Sequence, residues 1–220
     1  MDPISFRMFM AASVVSVAEP EIGDAYEGGF FAGYISHTAN SVATHRLILS
    51  PKSSGESSTT LSIENPASTL SGMSGYDGVT NTGILSATGN SDAADFTDGL
   101  TIDSYTDWYI GTLVEMQIIY FNLKPATWVN WAGRGTNAYQ VPERTTDWDS
   151  TSDPGADPAQ TTLTDFQDGG TEALEVAWHW TSSEAANNRC VEFHTGNGRS
   201  RGNNRYSTNQ LVRAIRREAI

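Results

Sequence analysis

The sequence predicts a mixed α+β domain of short antiparallel strands, one clear helix and long ordered loops. Three observations predict it. Twenty glycines, abundant Ser, Thr, Asn and Asp, and only 18% charged residues across 220 positions describe a chain that turns often and holds few long regular elements. One segment alone combines helical periodicity with capping signals, and several short runs alternate with the two-residue period of strands. At this length a single domain buries roughly 70% of its unfolded surface, so it does not need disulfides. The lone Cys190 excludes an intrachain bridge and a Cys-cluster metal site, and its neighbours Val191 and Phe193 suit an inert, half-buried strand position.

In chain order, residues 8–18 (MFMAASVVSVA) are apolar and distantly resemble the core of a secretion signal. Asp2 stands where such a signal carries positive charge, so residues 1–23 read instead as a docking or oligomerisation arm, with the domain spanning 24–220. No apolar run approaches the roughly 18 residues of a membrane helix. Residues 30–36 (FFAGYIS) and 44–50 (THRLILS) read as a strand pair around a hairpin loop, ended by Pro51. Residues 53–106 carry turn signals at Asn65-Pro66, Tyr76-Asp77-Gly78 and Thr88-Gly89-Asn90, with a short helix over 93–100.

The clear helix follows Gly111. Thr112 caps it, Glu115 completes a capping box, and Leu113, Met116, Tyr120 and Leu123 share one face before Pro125 stops it. Residues 126–174 are poor in aliphatic side chains but hold Trp128, Trp131, Tyr139 and Trp148, too many rings for a disordered tract. An ordered loop layer pinned by these rings is expected. Residues 173–180, 189–195 and 210–217 alternate as three closing strands, and 196–209 (GNGRSRGNNRYSTN) read as an exposed turn.

The net charge of −13 is unevenly spread: residues 1–186 hold 6 basic against 24 acidic residues, −18, whereas residues 187–220 hold seven arginines against Glu192 and Glu218, +5. Within so acidic a body the arginines are expected to pair with carboxylates of the chain itself or of a neighbouring subunit, and bulk acidity argues against nucleic acid as partner.

Three stretches in order carry a family resemblance: Ser104-Tyr105-Thr106-Asp107-Trp108-Tyr109 running into the helix with Glu115, Trp178-His179-Trp180-Thr181-Ser182-Ser183-Glu184, and Gln210-Leu211-Val212-Arg213-Ala214-Ile215-Arg216-Arg217. With Gly28-Gly29-Phe30-Phe31-Ala32-Gly33 and the later Leu47-Ile48-Leu49-Ser50-Pro51-Lys52, they resemble the C-terminal domain of collagen-like adhesins over residues 24–217. That domain has a C-type-lectin-like fold and recurs in marine phage tail and virion proteins. The chain departs from the family pattern at Ile110-Gly111, where proline is usual, and at His179-Trp180-Thr181, where Tyr-Trp-Ser is usual.

Read physically, Trp108, Glu115, Trp180, Glu184, Arg213 and Arg216 are structural. The indole N–H groups seek backbone carbonyls, and Glu184 seeks backbone N–H groups of a turn or pairs with Arg213 or Arg216.

No nucleophile motif, phosphate loop or His-pair metal spacing is present, and Cys190 alone does not support the paired-cysteine copper chemistry of the formylglycine-generating oxidases, whose fold is similar. His37 and His45 flank the hairpin loop and face each other. Asp147, Asp149 and Asp153, followed by Asp157, are a weak calcium candidate that lacks the EF-hand glycine and glutamate, and no cofactor is expected. The resemblance implies the function of a non-enzymatic phage virion protein, on the tail or capsid surface. It recognises a host through a loop-built surface, with Arg199, Arg201, Asn203, Asn204, Arg205 and Tyr206 as receptor contacts by analogy with the fold. The alternative is a decoration or cement protein docked by its arm and basic end, suggested by the short stretch before the domain. An enzyme is the third reading. Other virion proteins and a host glycan or protein are the expected partners, in a homo-oligomer without membrane insertion.

Overall fold

The computed structural model describes residues 18–61, 70–151, 157–186, 189–204 and 209–220. The hairpin predicted near the start forms as β2 (Gly29–Ile35) and β3 (His45–Leu49), preceded by the two-residue strand β1 (Ala25–Tyr26). Alternation alone does not describe it: Phe31, Ala32, Ile35 and Leu47 to Leu49 are all buried, because both faces of the pair are covered. His37 and His45 do face each other, with ring centroids 4.4 Å apart. The last described residues of the expected arm lie on the domain: Glu19 accepts hydrogen bonds from Arg46 and Tyr34, and Ile22 packs on the core. The apolar segment 8–18 falls outside the described residues except for Ala18.

After Pro51 the chain makes one helical turn, α1 (Lys52–Gly55), and a strand, β4 (Glu56–Thr59). Two further helices follow, α2 (Gly78–Ser86) and α3 (Asp92–Asp98). The second matches the short helix expected over 93–100, whereas α2 forms between the turn signals at 76–78 and 88–90, where the sequence predicts no helix; Asn65-Pro66 lies outside the described residues. Helix α2 contains Gly78, Thr80, Asn81, Thr82 and Gly83, all poor helix formers. Tertiary hydrogen bonds hold it instead: Asp77 caps it at Thr80 N, buried Asn81 donates to Ser74 O and Ser182 O, and Thr82 Oγ1 accepts from Ile110 N.

The two-residue strand β5 (Tyr109–Ile110) leads into α4 (Leu113–Leu123), whose Thr112–Glu115 capping box forms as the sequence predicts. Its buried surface is wider than one face. Glu115 to Tyr120 are all buried, while Leu113 is only partly so, since the helix lies between the sheet and the following loop layer. Strand β6 (Gln140–Val141) adds to β2, and a 3-10 turn spans Thr164–Phe166.

The closing strands are β7 (Trp178–Ala186), β8 (Arg189–His194), β9 (Arg199–Asn204) and β10 (Gln210–Ala219). Two expectations change here. Strand β7 begins at Trp178, five residues later than the pattern suggested, and the supposed exposed turn 196–209 contains β9, paired antiparallel with β8 from Arg189↔Asn204 to His194↔Arg199. The turn is confined to residues 195–198, where Gly198 N donates to His194 O at 2.8 Å.

Ten strands form the sheet among the described residues, in the order β1-β2-β3-β10-β7-β8-β9. Strand β10 is its axis: β4 and β3 pair successively along one side, and β7 and β5 lie along the other. Core clusters occupy both faces. One joins Tyr120, Trp148, Phe193, Leu174 and Ile215 beneath α4, and the other joins Trp180, Cys190, Val212, Leu61 and Leu85 on the side of α2 and α3. Cys190 is thus fully buried in strand, as an apolar side chain would be. No helix of the described residues is long and apolar enough to cross a membrane.

The residues read as structural each make contacts within the domain. Trp108 and Trp180 donate their indole N–H to Tyr105 O at 3.0 Å and Thr59 O at 3.2 Å, and Glu184 accepts from Leu70 N at 3.0 Å. Arg213, fully buried, lies between Glu56 at 3.4 Å and Glu172 at 3.3 Å and donates to Ser50 O, while Arg216 is held by Asp107 at 2.7 Å and Glu27 at 2.8 Å. Arg217 adds Asp77 at 2.9 Å.

Candidate ligand-binding face

At its far edge from the hairpin, the sheet exposes rings and cations together. Register pairs Trp178 with His194, and His194 with Arg199, so these three side chains form a row across β7, β8 and β9. One step along, Trp180, Glu192 and Arg201 form the next row, but Trp180 and Glu192 are buried and only Arg201 reaches solvent. The face therefore dips into the core at one end and opens at the other.

Over the open end leans the segment 126–135. Trp131 N donates to Asn197 O at 2.8 Å, which fastens that segment to the β8–β9 turn. Trp128 then stacks on His194 at 5.5 Å, and Arg199 lies 4.3 Å from the Trp131 ring and 5.9 Å from Trp178. Arg201 sits 4.0 Å over Trp178. A guanidinium on an indole face is favourable by roughly 0.5–1 kcal/mol at exposed sites. The stacks also hold long arginine side chains in one orientation.

Trp128 is 49% and Trp131 43% exposed, so the expectation that both pin the loop layer is corrected: they stand on its surface. The pins are other residues. Trp148, buried, meets Tyr120 and Phe193 and occupies the space that a Cβ at Gly135 or Gly198 would need, 2.5 and 2.0 Å away. Both glycines also have positive φ, +122° and +72°, so no other residue fits there without strain. Tyr139 stacks on Tyr76 at 4.7 Å.

From the end of α4, buried Lys124 donates to Trp128 O at 2.6 Å, Asn130 Oδ1 at 2.7 Å and Pro158 O at 3.1 Å. All three ammonium hydrogens are satisfied by neutral oxygens, and burial pulls the Lys124 pKa down to about 8. The half-exposed tryptophans thus ride on a loop that is locked from below.

The electrostatics separate the arginines. Arg201 Nε binds the buried Glu192 carboxylate at 2.7 Å, and Asn203 donates to its other oxygen, so these two expected receptor contacts are turned partly inward. Arg199 makes no ion pair with a described residue; neither does Arg134, whose Nε donates to Ser200 Oγ at 2.8 Å. Asn204 is half-buried beside Arg189 in the strand, and Arg205 and Tyr206 lie outside the described residues. Burial, then His179, Arg201 and Arg199, lower the His194 pKa, which keeps the ring neutral beneath Trp128 at physiological pH.

Charged side chains on an edge strand discourage pairing with another chain, which accounts for arginines on β9. It does not account for two tryptophans brought half-exposed to the same place. Trp128, Trp131, Trp178 and His194 were not on the expected contact list. The sequence carried no signal that the loop tryptophans stand outside; the only legible sign was Trp178 on a strand next to the arginine-rich end.

The aspartate group forms no comparable site. Asp157 is bound by Arg144 at 2.7 Å, Asp149 accepts from Thr151 N and Oγ1 at 2.8 Å, and Asp153 lies outside the described residues. Among the described residues no three His, Cys, Asp or Glu side chains are placed to hold a metal ion.

No family model, curated protein or solved structure matches the chain.

Proposed function

We propose that this chain is a recognition module of a phage particle, non-enzymatic and homo-oligomeric, whose C-type-lectin-like domain meets a host surface through the face built by β7, β8, β9 and the 126–135 loop. One observation carries this reading: Trp128 and Trp131 stand half-exposed on an anchored loop, beside an arginine with no described carboxylate partner. Tryptophan and arginine dominate the energetics of recognition surfaces, and a rigid frame lowers the ordering cost of binding. The C-type-lectin-like part of the reading is supported by the sequence motifs and by a terminal strand that closes the sheet begun by the first hairpin.

The decoration reading drew on the basic end of the chain as a docking patch. Arg213, Arg216 and Arg217 are occupied by the chain's own carboxylates, which weakens that argument. The two are separated by locating and counting the chain on the particle by reconstruction or antibody labelling. A few dozen copies or fewer at a tail tip are the expected result. Hundreds on the shell would replace recognition by decoration.

A further inference from the structure

We infer that the face formed by Trp128, Trp131 and Arg199 takes a short acidic oligosaccharide, sugar rings lying on the indoles and a carboxylate held by the guanidinium. This rests on the recognition reading and names the chemistry of its ligand. A pyranose ring has C–H groups on one face and hydroxyls around its rim, so it suits a flat apolar platform bordered by hydrogen-bonding groups. Trp128 and Trp131 supply the platform, and neither indole N–H donates to another described residue. Arg134 is fastened to the next residue of β9 after Arg199, through Ser200 Oγ at 2.8 Å.

Charge selects among ligands that stack. Arg201 is engaged by Glu192 and His194 is held neutral, so Arg199 is the cation on the indoles without an ion-pair partner among the described residues. A planar guanidinium binds a carboxylate through two parallel hydrogen bonds. A nucleic-acid strand also stacks on aromatic rings, but it brings one negative charge per nucleotide to a chain whose residues 1–186 carry −18. A saccharide with a carboxylate on one ring in several meets Arg199 without the same repulsion from the acidic body.

The test uses the full chain, followed by tryptophan fluorescence and calorimetry. The ligands are a panel of uronate- and sialate-containing oligosaccharides, their carboxyl-esterified forms, neutral hexose oligomers and oligothymidylate. The expected result is saturable binding of at least one acidic oligosaccharide, weakened about tenfold or more by esterification. Trp131→Ala and Arg199→Gln should each weaken it about tenfold or more with melting temperature unchanged.

Tighter binding of oligothymidylate, no binding to any acidic member, or binding indifferent to both substitutions would each overturn the saccharide assignment. Binding of wild-type protein to host cells that persists in those cases leaves recognition standing and removes only the ligand class. A shell location with hundreds of copies removes recognition itself.

Discussion

Arg213, Arg216 and Arg217 on β10 each reach a carboxylate, whereas Arg199 on β9 reaches two tryptophan rings and no described carboxylate. The two strands differ in position before they differ in chemistry. Strand β10 is flanked by strands on both sides, where a cation left without an anion is untenable; β9 is an edge, where water screens a lone guanidinium. One residue type thus fastens the fold at the axis of the sheet and stands without a described carboxylate partner at its edge.

Breaking the axial pairing gives the largest expected effect. Arg213→Ala leaves Glu56 and Glu172 facing each other without their cation, and a loss of about 3–5 kcal/mol in denaturant unfolding is expected. A loss below about 1 kcal/mol would erase the contrast between the strands.

Lys124 sharpens the comparison as a third case, a buried cation held by carbonyl and amide oxygens. Lys124→Met strands those oxygens, and a loss of about 2–3 kcal/mol is expected, with faster hydrogen exchange confined to the 126–135 loop.

Acid probes the far end of β10. Burial first, then Arg217 and His45, lower the His37 pKa from 6.5 to about 4, with Asp77 opposing; burial and Arg217 lower His45 in the same direction. The unfolded chain therefore takes up these protons first, so the contribution is complete above about pH 6.5 and is lost as pH falls toward 4. A loss of about 1–2 kcal/mol over that window is expected after screening. It should be reduced in His37→Gln, as read by denaturant titrations at successive pH values.

The smallest effect falls on the edge strand. Arg199→Ala should change stability by about 0.5 kcal/mol or less. A change as large as that of Arg213→Ala would show that the edge arginine belongs to the fold.

Much of this was readable from the residues. Thr112 and Glu115 announce the start of α4, the arginine excess after residue 187 foretells pairing with an acidic body, and Trp108 and Trp180 among small polar neighbours foretell buried indoles with carbonyl partners. Helix α2 was hidden because its own Thr82 and Asn81 side chains are held by backbone groups about 30 and 100 residues away, Ile110 N and Ser182 O, rather than by propensity. Strand β9 was hidden because Arg-Ser-Arg-Gly-Asn-Asn has the composition of a turn, and only pairing with β8 extends it. For the candidate face, the arginines were legible and the tryptophans were misassigned. In a loop without periodicity, nothing in the sequence says which of three indoles points inward; Trp148 does, wedged against two glycines, and Trp128 and Trp131 do not.

That wedge divides the surface into parts under different steric constraint. Trp148, Gly135 and Gly198 constrain one another, so a change at any one demands compensation at the others. Trp128, Trp131 and Arg199 stand above them with few obligations to the core. A lineage under pressure to follow a changing ligand can therefore rewrite the tips of this face while inheriting its foundation unaltered, and the imprint would be variable positions close in sequence to fixed ones, as Arg199 is to Gly198.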